Sequence, residues 1–181
     1  YAFSTYGWDL GIFNQVFYTT IFTDKFMYYT AELFLNPTGS YFAIHFSPIL
    51  LLLMPIYALF PNAMTLLVVK TILLSLGAVP LYYLSKEIIE DESVSLLVSI
   101  SYLLAPSIQG SNWFDFQQQV FIPLMVFSLF YFFIKNKWKK YTATLILTLS
   151  ITEQLPLVII MIFFGWVFIN YEQFLKYIKS F

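Results

Sequence analysis

Residues 64–85 read MTLLVVKTILLSLGAVPLYYLS, an apolar run interrupted by a single charge, Lys70. As an α-helix this stretch extends about 33 Å, enough to cross a hydrocarbon core near 30 Å. Working outward, 93–108 and 119–134 are similarly apolar and become spans if they borrow flanking residues. Residues 142–169 are apolar as well, except at Thr152-Glu153-Gln154, with Pro156 close behind. Over the whole chain of 181 residues, 60% are hydrophobic and 10% charged, and mean hydropathy is +0.76. A soluble domain carries about 25% charged residues. Nine lysines, ten carboxylates and no arginine cannot coat a soluble surface of this size. The expectation is an all-α, polytopic membrane protein.

Composition also removes several function classes. A net charge of −1 gives no long-range attraction to nucleic acid, so none is expected as a partner. The absence of cysteine excludes disulfides, thiol catalysis and thiolate metal sites. A P-loop, a Gly-rich dinucleotide turn, a Gly-x-Ser-x-Gly elbow and a His-Glu-x-x-His helix are all missing. The chain starts at Tyr1 without a methionine or a basic leader, so it reads as a segment of a longer protein. Lysine as the sole strong base, with abundant Ile, Tyr and Phe, points to an AT-rich genome, and the expected location is a prokaryotic cell membrane.

The first 45 residues differ from the rest. Between Asp9 and Phe22, the side chains Phe13, Val16, Phe17 and Ile21 fall on one helical face. That pattern predicts an amphipathic helix lying at the membrane interface. Asn36-Pro37-Thr38-Gly39-Ser40 predicts a turn. Residues 46–60 are apolar but short, about 22 Å as helix, and hold Pro48 and Pro55, so they are expected to lie obliquely without crossing. The division expected is therefore 1–62 as an outer loop with interfacial helices, then 63–181 as membrane helices. Within the latter the helices fall at about 64–85, 93–108, 119–134, and a broken pair, 141–152 and 155–169.

Lysines set the orientation. Lys86, the cluster Lys135, Lys137, Lys139 and Lys140, and the pair Lys176 and Lys179 should face the cytoplasm by the positive-inside rule. The chain must then leave and return to one side between Tyr141 and Asn170, and Thr152 to Pro156 is where it can break. Asp9, His45, Asp115 and Glu153 gather on the outer side as a consequence.

These four residues lie in distinctive strings: Trp8-Asp9-Leu10-Gly11-Ile12-Phe13-Asn14-Gln15, His45-Phe46-Ser47-Pro48, Phe114-Asp115-Phe116 and Thr152-Glu153-Gln154. Their order and spacing resemble an uncharacterised family of predicted integral membrane proteins in the GT-C superfamily of polyprenyl-phosphate-dependent glycosyltransferases. The resemblance covers nearly the whole chain. It implies a GT-C-like helical module with a large first outer loop, preceded by a span upstream of Tyr1. It also implies transfer of a sugar from a polyprenyl-phosphate donor to an acceptor at the outer face, with Asp9 at the position of the family's acidic residue. Four ionisable groups of that family pattern are neutral here, at Asn14, Gln117, Thr152 and Gln154.

Each candidate carries a chemical reading beside a structural one. Inverting glycosyl transfer needs a carboxylate to take the acceptor proton, a role for Asp9; an Asp there is equally an N-cap. Glu153 is costly to bury, by about 2.5–3.5 kcal/mol at a helix centre, so it should face a cavity or cap a helix break. Asp115 is a further acidic candidate or a helix-start residue. His45 and Lys70 are the candidates for a phosphate, with Lys70 otherwise snorkelling to the interface. Asn14 and Gln117 are neutral substrate-binding candidates. Asp9 and His45, with the other carboxylates, can be written as ligands for Mg²⁺ or Mn²⁺. Two rival functions remain: a transporter or lipid flippase, suggested by an ionisable group beside a broken helix, and a non-catalytic anchor or subunit bound to a protein partner.

Overall fold

The computed structural model describes residues 7–169 and 171. Nine α-helices are formed among them: α1 (Trp8–Phe22), α2 (Met54–Leu59), α3 (Ala63–Leu76), α4 (Ala78–Ile89), α5 (Glu92–Leu104), α6 (Pro106–Trp113), α7 (Ile122–Ile134), α8 (Trp138–Leu149) and α9 (Leu155–Ile169). Short 3₁₀ turns precede α2 (Pro48–Leu53) and α7 (Gln118–Phe121), and a third covers Tyr41–Ala43. No strand is formed among the described residues; a lone antiparallel bridge joins Tyr28 to Ser40. The all-helical expectation holds.

Among the described residues, two helices are long and apolar enough to cross a bilayer. One is Ala63–Ile89, 27 residues with a mean hydropathy of 2.0, which comprises α3 and α4. The other is Glu92–Trp113, 22 residues at 1.3, comprising α5 and α6. Three full spans were expected from the sequence, and the third differs. Gln118–Ile134 is apolar but shorter than those two, because its first turn is 3₁₀ and the α-helix starts only next to Pro123. Proline there lacks the N–H that a longer helix would need.

Both long helices carry an irregularity that proline explains. Pro80 cannot donate to the carbonyl of Leu76, and Gly77, itself in the right-handed helical region, separates α3 from α4. Leu74 O accepts from Gly77 N at 3.2 Å and from the hydroxyl of Tyr102 of α5 at 2.7 Å. A Cβ on Gly77 would come within 2.5 Å of Tyr102 Oη and 3.1 Å of Pro123 Cβ, so α3, α5 and α7 approach closely only because residue 77 has no side chain. Pro106 likewise pushes Ala105 out of the helical region, to ψ 131°, and separates α5 from α6.

Helix α4 packs against α5 and α7, and α7 against α8. The core lies nearer the chain's beginning. Phe13, Val16 and Phe17 of α1 are buried with Tyr57, Leu66 and Phe116. Phe17 stacks on Tyr57 at 5.4 Å, and Phe13 meets Phe116 edge-on at 5.1 Å. The apolar face of α1, expected to lie along the membrane interface, therefore packs against protein. Asn36 to Ser40 turns through Gly39 at φ 65°, where a Cβ would clash with the Tyr28 ring at 2.3 Å. Lys176 and Lys179, used above for orientation, lie outside the described residues.

Candidate functional site

Helix α1 starts just after Gly7, which is left-handed at φ 76° and supplies no capping side chain. The cap comes from far along the chain. Asp115 Oδ1 accepts from Gly7 N at 3.1 Å, and Oδ2 accepts from Asp9 N at 3.1 Å and Leu10 N at 3.4 Å. Asp115 is only 2% exposed. It therefore satisfies the amide donors that a helix start leaves open. Asp9 does not cap, and its side chain is left for another use. Its Oδ2 accepts from Gln117 Nε2 at 2.7 Å.

His45 follows the Tyr41–Ala43 turn, with its own N–H bonded to Tyr41 O at 2.9 Å and its ring 5.6 Å from that of Tyr41. Ile49 N donates to Ser150 O at 3.1 Å, fastening this segment to the end of α8. The chain leaves helical geometry between α8 and α9, and Glu153 sits in that interval. Pro156 is accommodated there because it falls in the first turn of α9, where its missing N–H costs nothing. Glu153 Oε1 lies 3.1 Å from His45 Nδ1, both side chains being partly exposed. The Glu153 backbone N–H, then the imidazole, hold its carboxyl below the usual carboxylate range.

Asp9, His45, Gln117 and Glu153 line one polar cavity of about 150 Å³, together with Ile12, Phe13, Glu32, Tyr41, Gln118, Gln119, Thr152 and Gln154. Three carboxylates, Asp9, Glu32 and Glu153, face one basic side chain, His45, among these lining residues. Tyr41 donates to Gln118 Oε1 at 3.1 Å, and burial pushes its phenol well above the ordinary value, with Glu153 and Asp9 adding to the effect. Glu32 accepts from Tyr29 Oη at 2.6 Å; burial, then this carboxylate, push the Tyr29 phenol up to about 12. Gln117 and Gln119 also line a larger and mostly apolar cavity of about 410 Å³, between α3, α6 and α7, with Leu74, Ile108, Phe114, Val120 and Pro123.

Of the candidates read from sequence, the structure brings Asp9, His45, Gln117 and Glu153 together. Asp115 is adjacent but engaged with α1, and lines the apolar cavity. Asn14 faces elsewhere: its Oδ1 accepts from Tyr57 Oη at 2.7 Å. Lys70 neither snorkels nor reaches the polar cavity. It is 1% exposed, and its ammonium donates to Asn112 O at 2.7 Å and Phe114 O at 2.5 Å. An ammonium buried in an apolar span needs such acceptors and a compensating charge, and Asp115 is the carboxylate that acts on it. Among the described residues no three His, Asp or Glu side chains come together closely enough to hold a metal ion. The sequence reading passed over Glu32, Tyr41 and Gln118. Glu32 lies in no motif that could have marked it.

Helices that can cross a bilayer, beside a polar cavity built from four distant segments, define an all-helical membrane protein. The chain belongs to the DUF2079 family, described as a predicted membrane protein, which it matches over residues 1–179. No curated protein and no solved structure matches it.

Proposed function

We propose that this chain is the catalytic module of a membrane glycosyltransferase of the GT-C type, moving a sugar from a polyprenyl-phosphate donor to an acceptor at the outer face. The observation that carries the reading is the convergence of Asp9, His45, Gln117 and Glu153 on one polar cavity beside an apolar one that shares Gln117 and Gln119. A lipid-linked sugar has the same two-part chemistry. Three carboxylates against one imidazole favour hydroxyl-rich groups over an isolated anion. The sugar and the acceptor hydroxyl thus occupy the polar cavity, and the lipid phosphate lies at its rim against His45. Asp9, oriented by Gln117 through one oxygen, takes the acceptor proton as that oxygen attacks the anomeric carbon. The bond from the anomeric carbon to the phosphate oxygen breaks, and polyprenyl phosphate leaves. Glu153 holds His45. The lysine-rich ends of α4 and α7 face the cytoplasm in this reading, and the cavity faces outward.

Reconstituted protein given a panel of polyprenyl-phosphate sugars is expected to transfer one of them. Asp9→Asn should lower that rate by at least 10²-fold, in the range of lost general-base catalysis, with expression unchanged. Full activity in Asp9→Asn would remove the assignment. A transporter reading draws on Glu153 in the non-helical interval between α8 and α9. It predicts instead a substrate uptake that Glu153→Gln abolishes and Asp9→Asn spares.

A further inference from the structure

The far end of α8 carries a feature that glycosyl transfer does not use. The loop from α7 to α8 holds Lys135, Asn136 and Lys137, and the first turn of α8 holds Trp138, Lys139 and Lys140. Its backbone is fixed: Lys137 N donates to Phe132 O at 2.9 Å, and Asn136 turns the chain at φ 53°. Lys135 is bonded to Glu87 at 2.9 Å, and Lys86 to Glu92. Asp91 is engaged in capping α5 through Val94 N, which leaves Glu90 as the other carboxylate of the α4–α5 turn. Among the described residues, Lys137, Lys139 and Lys140 have no carboxylate within ion-pair distance, and all three are exposed. The Lys137 ammonium lies 5.9 Å from the centre of the Tyr131 ring and that of Lys140 5.7 Å from the centre of Phe132. Trp138, 52% exposed, stands between them and meets Phe133 and Tyr141 edge-on, each at 6.0 Å.

Position and chemistry agree on what this patch meets. The Lys135–Glu87 contact puts the loop level with the last turn of the Ala63–Ile89 helix, where that apolar span ends and headgroups begin. An exposed tryptophan beside lysines is suited to that layer. Helix stability does not account for the lysines, because cations in a first turn add to the positive end of the helix dipole. Unpaired lysines beside the end of a membrane helix attract anionic lipid.

We infer that Lys137, Lys139 and Lys140, with Trp138 among them, form a binding site for the phosphate headgroups of anionic phospholipids. The patch is independent of the glycosyltransferase reading, since it lies at the opposite end of α8 from Glu153. The test is native mass spectrometry of the purified full chain, titrated with phosphatidylglycerol or phosphatidylcholine. The native protein should retain phosphatidylglycerol preferentially. Changing Lys137→Gln, Lys139→Gln and Lys140→Gln together should weaken that retention, by roughly fivefold for each lysine at low ionic strength. The matching lysine-to-arginine triple variant should keep it, and Lys25→Gln should not alter it. Equal retention of the two lipids by the native protein, or undiminished phosphatidylglycerol binding in the glutamine variant, would overturn the inference. Displacement of the lipid by millimolar inorganic phosphate would overturn it too, in favour of a free anion.

Discussion

Asp115 and Lys70 show what single residues do in this chain. Each is an ionisable group in an almost wholly buried position, and each is satisfied by backbone: Asp115 by the amides of Gly7, Asp9 and Leu10, Lys70 by the carbonyls of Asn112 and Phe114. Together they tie α1 and α3 to the end of α6. Leaving a buried N–H donor without its acceptor costs about 1–3 kcal/mol. Asp115→Ala should therefore lower the melting temperature in detergent markedly and speed hydrogen exchange at the amides of Asp9 and Leu10. Asp115→Asn keeps an acceptor and should retain part of the cap. Unchanged exchange in Asp115→Ala would mean that the cap does not hold α1. None of this was legible in the sequence. A lone Asp after an aromatic looks like a local helix start, and a cap spanning more than a hundred residues has no sequence pattern. Asp9, His45 and Glu153 were visible because ionisable groups are so scarce in this chain that each stands out. Glu32 and Tyr41 were not, because their positions depend on how residues 23–47 fold back around the Tyr28–Ser40 bridge.

At the scale of elements, the apolar runs located the helices, and proline decided where they bend or stop. The long run opening at Met64 lies within one membrane-length helix, Ala63–Ile89, divided into α3 and α4 at Gly77. The expected third span fell short because periodicity does not show that Gln118 to Phe121 forms a 3₁₀ turn. The amphipathic pattern of α1 was correct about which face is apolar, yet it could not say whether lipid or protein covers that face. The Gly77 contact gives a sharp test. Gly77→Ala overpacks the site against Tyr102 and should cost about 1–3 kcal/mol. Tyr102→Phe loses one interhelical hydrogen bond, worth on average about 0.6 kcal/mol in a membrane. The hydroxyl is the atom a new methyl meets first, so Gly77→Ala should cost less in the Tyr102→Phe background. Additive losses in a double-mutant cycle of melting temperatures would contradict this packing.

For the whole molecule, the proposed orientation puts the polar cavity outside and the lysine-rich end inside. The chain has no cysteine, so single reporters read cleanly. Gln119→Cys should react with a membrane-impermeant maleimide in intact cells, and Lys139→Cys only after permeabilisation; the reverse pattern would invert the orientation. The central claim is that the polar cavity receives the head of a lipid-linked sugar. A structure of the full-length protein with an added polyprenyl phosphate tests it most directly. The account predicts the phosphate within hydrogen-bonding distance of His45, the chain entering the apolar cavity past Gln119, and Asp9 and Glu153 facing the space beyond the phosphate. A phosphate bound elsewhere, with Asp9, His45 and Glu153 bonded only to one another or to neighbouring helices, would contradict it.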